Sequence, residues 1–153
     1  MTFDKFAYTW VLGLGSCGPF DIGYIEVQAL NSTRAHDIVQ SSLAYNGEFL
    51  QSECHLYPSP GVTIDFVGQT VDAVTGQTVP TGFSITYTLN NGTTYQFNLT
   101  NSVENPALPV YHRWGMSGSG GRVGGPQYKC SVLGDWLNPG LAVYTEGSSI
   151  FGT

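Results

Sequence analysis

A chain of 153 residues has room for one domain with a substantial core. Only 10% of the residues are charged, against about 25% in an ordinary domain, while aromatic residues reach 13%, which excludes a disordered chain. The net charge of −6, with five scattered Lys and Arg, argues against nucleic acid and anionic membrane surfaces, both of which need basic patches.

Residues 6–14, "FAYTWVLGL", read as a first strand. The run on to Cys17 ends in small residues, as a lipoprotein signal does. However, Asp4 and Lys5 cancel before it, and Tyr, Thr and Trp interrupt the apolar run. A second strand is expected over 22–30. Residues 37–45 and 48–57 suit a hairpin through Asn46-Gly47. The stretch 32–45 would also accept a short helix. Pro58-Ser59-Pro60-Gly61 breaks the chain before "VTIDFVG" at 62–68, and Thr75-Gly76 marks another turn. Further strands are expected at 108–114, 126–133 and 140–146. The biased segment "GMSGSGGRVGG", 115–125, reads as a flexible surface loop carrying one charge, Arg122. No segment sustains a 3.6-residue period. The pattern predicts a single all-β domain over 1–153, an antiparallel two-sheet β-sandwich of about 8–9 strands.

The stretch "GFSITYTLNNGTTYQFNL", 82–99, permits a prediction of register. Phe83, Ile85, Tyr87 and Leu89 alternate with polar residues, as do Tyr95, Phe97 and Leu99. A two-residue turn at Asn91-Gly92 would put the two apolar sets on opposite faces. A three-residue loop, Asn90-Asn91-Gly92 with Gly92 left-handed, pairs Leu89 with Thr93. Tyr87 then faces Tyr95, Ile85 faces Phe97, and Phe83 faces Leu99. A one-residue slip flips every side chain, so burial selects the three-residue loop.

Cys17, Cys54 and Cys130 are too few and too widely spaced for a disulfide framework or a zinc site. One bridge with a free thiol and three buried thiols both remain open. His36, His55 and His112 show no metal-ligand spacing. No serine lies in a nucleophile elbow, and no carboxylate pair converges. The chain is therefore expected not to be an enzyme and to need no metal or cofactor.

Contact chemistry is denser at Tyr111-His112-Arg113-Trp114. Along a strand, Tyr111 and Arg113 share one face, and His112 and Trp114 the other. One of Tyr111 and Trp114 is then structural, and the other offers an aromatic beside a polar tip. Tyr111, Arg113 and Trp114 are the candidate ligand contacts. Three Asn-x-Ser/Thr sequons occur, at Asn31, Asn91 and Asn98.

From about 25 to 114 the order of features "IEVQALNST", "YNGEF", "PSPG" and "TGQTVPTGFSITYTLNNGTTYQFNL", followed by an aromatic-rich turn, resembles the cytolysin-like β-sandwich group. That group holds the aegerolysins, the actinoporins and mushroom fruit-body lectins. The Asp-Cys-Pro-Trp-Gly segment of aegerolysins is absent, and Arg113-Trp114-Gly115 stands near its place. The resemblance implies recognition of membrane lipid head groups or glycans, with Tyr111 and Trp114 at the contact. The expected setting is extracellular or surface-exposed, without a convincing signal peptide, as is typical of aegerolysins, and cytoplasmic storage before release stays open. The rival expectation is a structural subunit of a viral capsid, fibre or filament. Low charge and abundant Gly, Thr and Asn suit inter-subunit packing, so self-association is expected there.

Overall fold

The computed structural model describes residues 10–27, 38–56, 59–73, 76, 78–104 and 111–137. The strand expected at 140–146 lies outside the described residues. Eleven strands follow one another, and no helix occurs among the described residues. They are β1 (Trp10–Cys17), β2 (Phe20–Val27), β3 (Ile38–Tyr45), β4 (Glu48–Leu56), β5 (Val62–Val67), β6 (Thr70–Val71), β7 (Thr78–Val79), β8 (Gly82–Thr88), β9 (Thr94–Glu104), β10 (Tyr111–Arg122) and β11 (Tyr128–Leu137).

The chain is all-β, as expected, but hydrogen bonding does not divide it into two sheets. Nine strands form one antiparallel sheet in the order β4-β3-β2-β1-β11-β10-β9-β8-β5, and β6 and β7 form a separate small hairpin. The physical reason is the β1–β11 pairing. It runs unbroken from Trp10↔Leu137 to Cys17↔Cys130 and joins what would otherwise be two sheets. The Cys17–Cys130 disulfide lies at the end of that seam, and Cys54 is free and exposed.

The sheet curls so that its halves face each other. Phe20 on β2 meets the rings of Tyr95 and Phe97 on β9 at 5.6 and 5.7 Å. Gln51 on β4 donates from Nε2 to the Gly61 carbonyl ahead of β5, at 2.9 Å, so the two free edges approach. The enclosed face carries the core: Leu43, Ile64, Phe66, Phe83, Ile85, Tyr87, Phe97 and Trp136 are nearly or fully buried. Alternation places their polar neighbours outside, where Ser84 donates to Asn98 Oδ1 and Gln96 donates to Ser84.

The 82–99 hairpin has the register that burial selects. Tyr87 pairs with Tyr95, Ile85 with Phe97 and Phe83 with Leu99. Leu89 N–H donates to Thr93 O at 2.9 Å, and Gly92 has φ 87°. The Asn46-Gly47 turn also forms, with both residues left-handed (φ 49° and 83°) and Tyr45 opposite Glu48.

The segment 115–125, expected as a flexible surface loop, is mostly strand. It is not a flexible loop: β10 continues through it to Arg122, and only the turn beyond is irregular. Its glycines answer a packing demand. A Cβ on Gly118 would collide with the Asn98 carbonyl, and one on Gly120 with Phe97 and the Gln96 carbonyl. Close approach of β9 requires glycine there.

Leu56 and Val62, the strand ends joined between β4 and β5, lie at opposite ends of the sheet, and the other connections within the sheet sort by length. Cys17 to Phe20, Tyr45 to Glu48, Thr88 to Thr94 and Arg122 to Tyr128 are short turns at one end of the sheet. The strand ends joined by longer connections, Val27 and Ile38, Val67 and Gly82, and Glu104 and Tyr111, lie at the other end. The β6–β7 hairpin belongs to that longer-connection end.

Candidate functional site

Strand β10 brings Arg113 and Trp114 to the longer-connection end, on opposite faces. Trp114 is the inward member and is only 2% exposed. It stacks on Trp136, with ring centroids 6.4 Å apart and planes at 22°, and meets Phe83 edge-on at 6.0 Å. Arg113 faces outward, where it pairs with its register partner Asp135. Its Nε donates to Oδ1 at 2.8 Å and its Nη2 to Oδ2 at 3.0 Å. That fork–fork geometry occupies the guanidinium edge that a ligand anion would use. Tyr111 opens β10 opposite Leu137, and its side chain lies outside the described residues, as does that of His112.

So the structure does not converge Arg113 and Trp114 on one surface. It places Trp114 in the wall of a cavity of about 450 Å³, within the range of small-molecule sites. Val71 and Asp72 of the β6–β7 hairpin, Pro80, Asn101 and Trp114 are among its lining. Asn101 is clamped. Its backbone N–H donates to Thr81 O and its Nδ2 to Pro80 O, both at 2.9 Å. Its Oδ1 is buried and receives no hydrogen bond among the described residues. A buried acceptor left unpaired costs about 1–3 kcal/mol, so it is a natural place for a donor from a bound molecule or water. Among the described residues the lining holds one acid, Asp72, and no Lys or Arg.

Sequence reasoning reached Trp114 but missed Asn101 and the hairpin above it. The signal available for the hairpin was Thr75-Gly76, where Gly76 takes φ 72°. Nothing in the sequence separates Asn101 from the other asparagines, because only the closing of β9 against Pro80 and Thr81 buries it.

Elsewhere, Glu53 Oε2 and His55 Nε2 lie 3.0 Å apart on β4, part-exposed. Cys54 stands between them in sequence, but strand alternation turns it to the opposite face, away from the imidazole. No group of three or more His, Cys, Asp or Glu capable of holding a metal occurs among the described residues.

No family model and no curated protein sequence matches the chain. In fold it is similar to CghA. A structure of CghA with Sch210972 superposes with a TM-score of 0.65 at 11% identity, covering 90% of this chain and 42% of that one. A second structure of CghA gives a TM-score of 0.62, again at 11% identity with coverage of 90% and 42%. The chain thus spans less than half the length of CghA, and the likeness concerns the fold alone.

Proposed function

We propose that this protein is a recognition domain, not a catalyst, and that it takes a small, neutral, hydroxyl-bearing ligand in the cavity between Trp114 and the β6–β7 hairpin. A glycan, free or on a lipid, has that chemistry. The observation that carries the reading is Asn101 Oδ1, a buried acceptor without a donor, in a residue that lines the cavity together with Trp114. A sugar hydroxyl supplies the donor, and Trp114, only 2% exposed, forms the apolar back wall and not a stacking face. Asp72, and the lack of a basic side chain among the described residues of the lining, disfavour a phosphate head group. The structure of CghA with Sch210972 is consistent with small-molecule binding on such a fold. The cytolysin-like resemblance points toward recognition too, but it does not carry the reading. The Cys17–Cys130 bridge supports an extracellular or surface setting, because disulfides persist in oxidising compartments.

The test is a tryptophan-fluorescence titration with neutral monosaccharides, and with vesicles of phosphatidylcholine alone or with added neutral glycolipid. Saturable binding that Asn101→Leu abolishes, with the far-UV spectrum unchanged, supports the reading. Absence of saturable binding to every sugar and vesicle sinks it.

A second reading, a subunit of an assembly, has its own observation. Leu14 and Leu133 are cross-strand partners on the outer face, 49% and 37% exposed. Light scattering decides it: a large regular assembly without ligand makes the chain a building block, and a monomer sinks that alternative.

A further inference from the structure

The opposite mouth of the curled sheet has different chemistry. Trp114 and Arg122 lie near the two ends of β10, about 26 Å apart at the usual strand rise. At the short-turn end, inward register positions bring Phe20, Tyr45, Tyr95, Tyr128 and Arg122 around a cleft of about 300 Å³. Phe20 is its buried hub. Its ring centroid lies 5.0 Å from Tyr45, 5.6 Å from Tyr95 and 5.9 Å from Tyr128. Tyr45 keeps 41% of its surface in solvent, and Arg122 is exposed at the rim.

Two glycines build this mouth. Gly18, at φ 57°, accepts the Tyr128 ring so closely that a Cβ would sit 2.6 Å from Cδ1. Gly125 lets the Arg122 side chain fold over it, with Nε and Nη2 both 3.3 Å from where a Cβ would stand. Arg122 and Gly125 carbonyls both accept from Gln127 Nε2, which ties the turn beneath the guanidinium. Among the described residues Arg122 makes no ion pair, in contrast to Arg113, and no acidic residue lines the cleft.

We infer that this cleft is a second binding site, for a small molecule that joins a flat apolar ring to a carboxylate. The ring lies among the tyrosine and phenylalanine side chains, which favour tilted and edge-to-face contacts. The carboxylate meets the guanidinium fork, whose planar donors match it bidentately. The chain's overall negative charge does not forbid this. Exposed charges more than about 8 Å away are largely screened at physiological salt. The site differs from the Trp114 cavity in place and in sign: there the lining is acidic and here it is cationic.

The experiment uses the whole chain and two probes, 2-naphthoate and the neutral 2-naphthalenemethanol, followed by calorimetry and by NMR of labelled tyrosines. Naphthoate is expected to bind at least about tenfold more tightly than the carbinol, the worth of one charge-assisted contact. Shifts should appear at Tyr45, Tyr95 and Tyr128. Arg122→Gln, an exposed substitution, should remove the preference and leave carbinol binding within about twofold. Equal binding of both probes, insensitivity to Arg122→Gln, or no saturable binding of naphthoate each overturns the inference. Binding at the Trp114 cavity is read separately, because Arg122→Gln leaves it untouched and Asn101→Leu removes it.

Discussion

The Tyr87 hydroxyl on β8 donates to the Gly23 carbonyl on β2 at 2.9 Å, with Tyr87 fully buried. The two residues are 64 apart in sequence and sit on opposite halves of the sheet. The bond thus crosses the interior and holds the curl. Tyr87→Phe should lower stability by about 1–2 kcal/mol, since it leaves a buried carbonyl without its donor. The urea midpoint is the measurement, and an unchanged midpoint would mean that the bond contributes nothing net.

The same residue predicts behaviour in alkali. Burial pushes the Tyr87 hydroxyl well above the ordinary phenol range. The folded state therefore holds its proton after the unfolded chain has begun to release it. Stability from this group is complete below about pH 10 and falls as pH rises beyond that. Urea titrations at increasing pH should show wild type losing stability faster than Tyr87→Phe, so that the gap between them narrows. A gap that widens with pH would contradict the assignment.

The disulfide joins Cys17 to Cys130 across a sequence separation of 113. Thiol titration of the unreduced, unfolded chain should find one reactive group, Cys54. Replacing both bridged cysteines by serine should cost about 4 kcal/mol through the larger entropy of the unfolded chain. Two or three reactive thiols without reductant would refute the bridge.

Arg113 and Asp135 form a forked pair, with the carboxylate side chain only 10% exposed. Arg113→Met should destabilise by about 1–3 kcal/mol, mainly by removing both charge-assisted bonds to that nearly buried carboxylate. A double-mutant cycle with Asp135→Asn should show coupling. Neither variant should alter sugar binding, because the pair lies on the outer face. A loss of affinity without a loss of stability would return Arg113 to the list of ligand contacts.

Two glycines provide a packing test. Gly118 has no room for a Cβ against the Asn98 backbone, while a Cβ on Gly13 would touch only Ile85 Cδ1 at an ordinary 3.5 Å. Gly118→Ala should cost about 1–3 kcal/mol or more by prising β9 from β10, and Gly13→Ala should be tolerated. Thermal melts of the two variants compare the positions directly, and equal tolerance would mean that β9 does not approach β10 so closely.

The alternation of apolar and polar residues was enough to predict an all-β domain and the register of 82–99. Each choice there is local: a slip would expose Phe83, Ile85 and Tyr87 together. The Asn46-Gly47 turn was legible for a similar reason, since those residue types tolerate left-handed backbone. What tertiary structure decided was the pairing of distant strands. That β1 joins β11, making one curled sheet where two were expected, depends on contacts between residues more than a hundred positions apart. The glycines of 115–125 read as a loop because their task is close approach of a neighbouring strand, and a local window contains no neighbour. The candidate site divided in the same way. Aromatic density and strand parity pointed to Trp114 and to its separation from Arg113. The cavity beside it, the unpaired oxygen of Asn101 and the tyrosine ring around Arg122 exist only because the sheet curls, which brings together side chains that no stretch of sequence holds side by side.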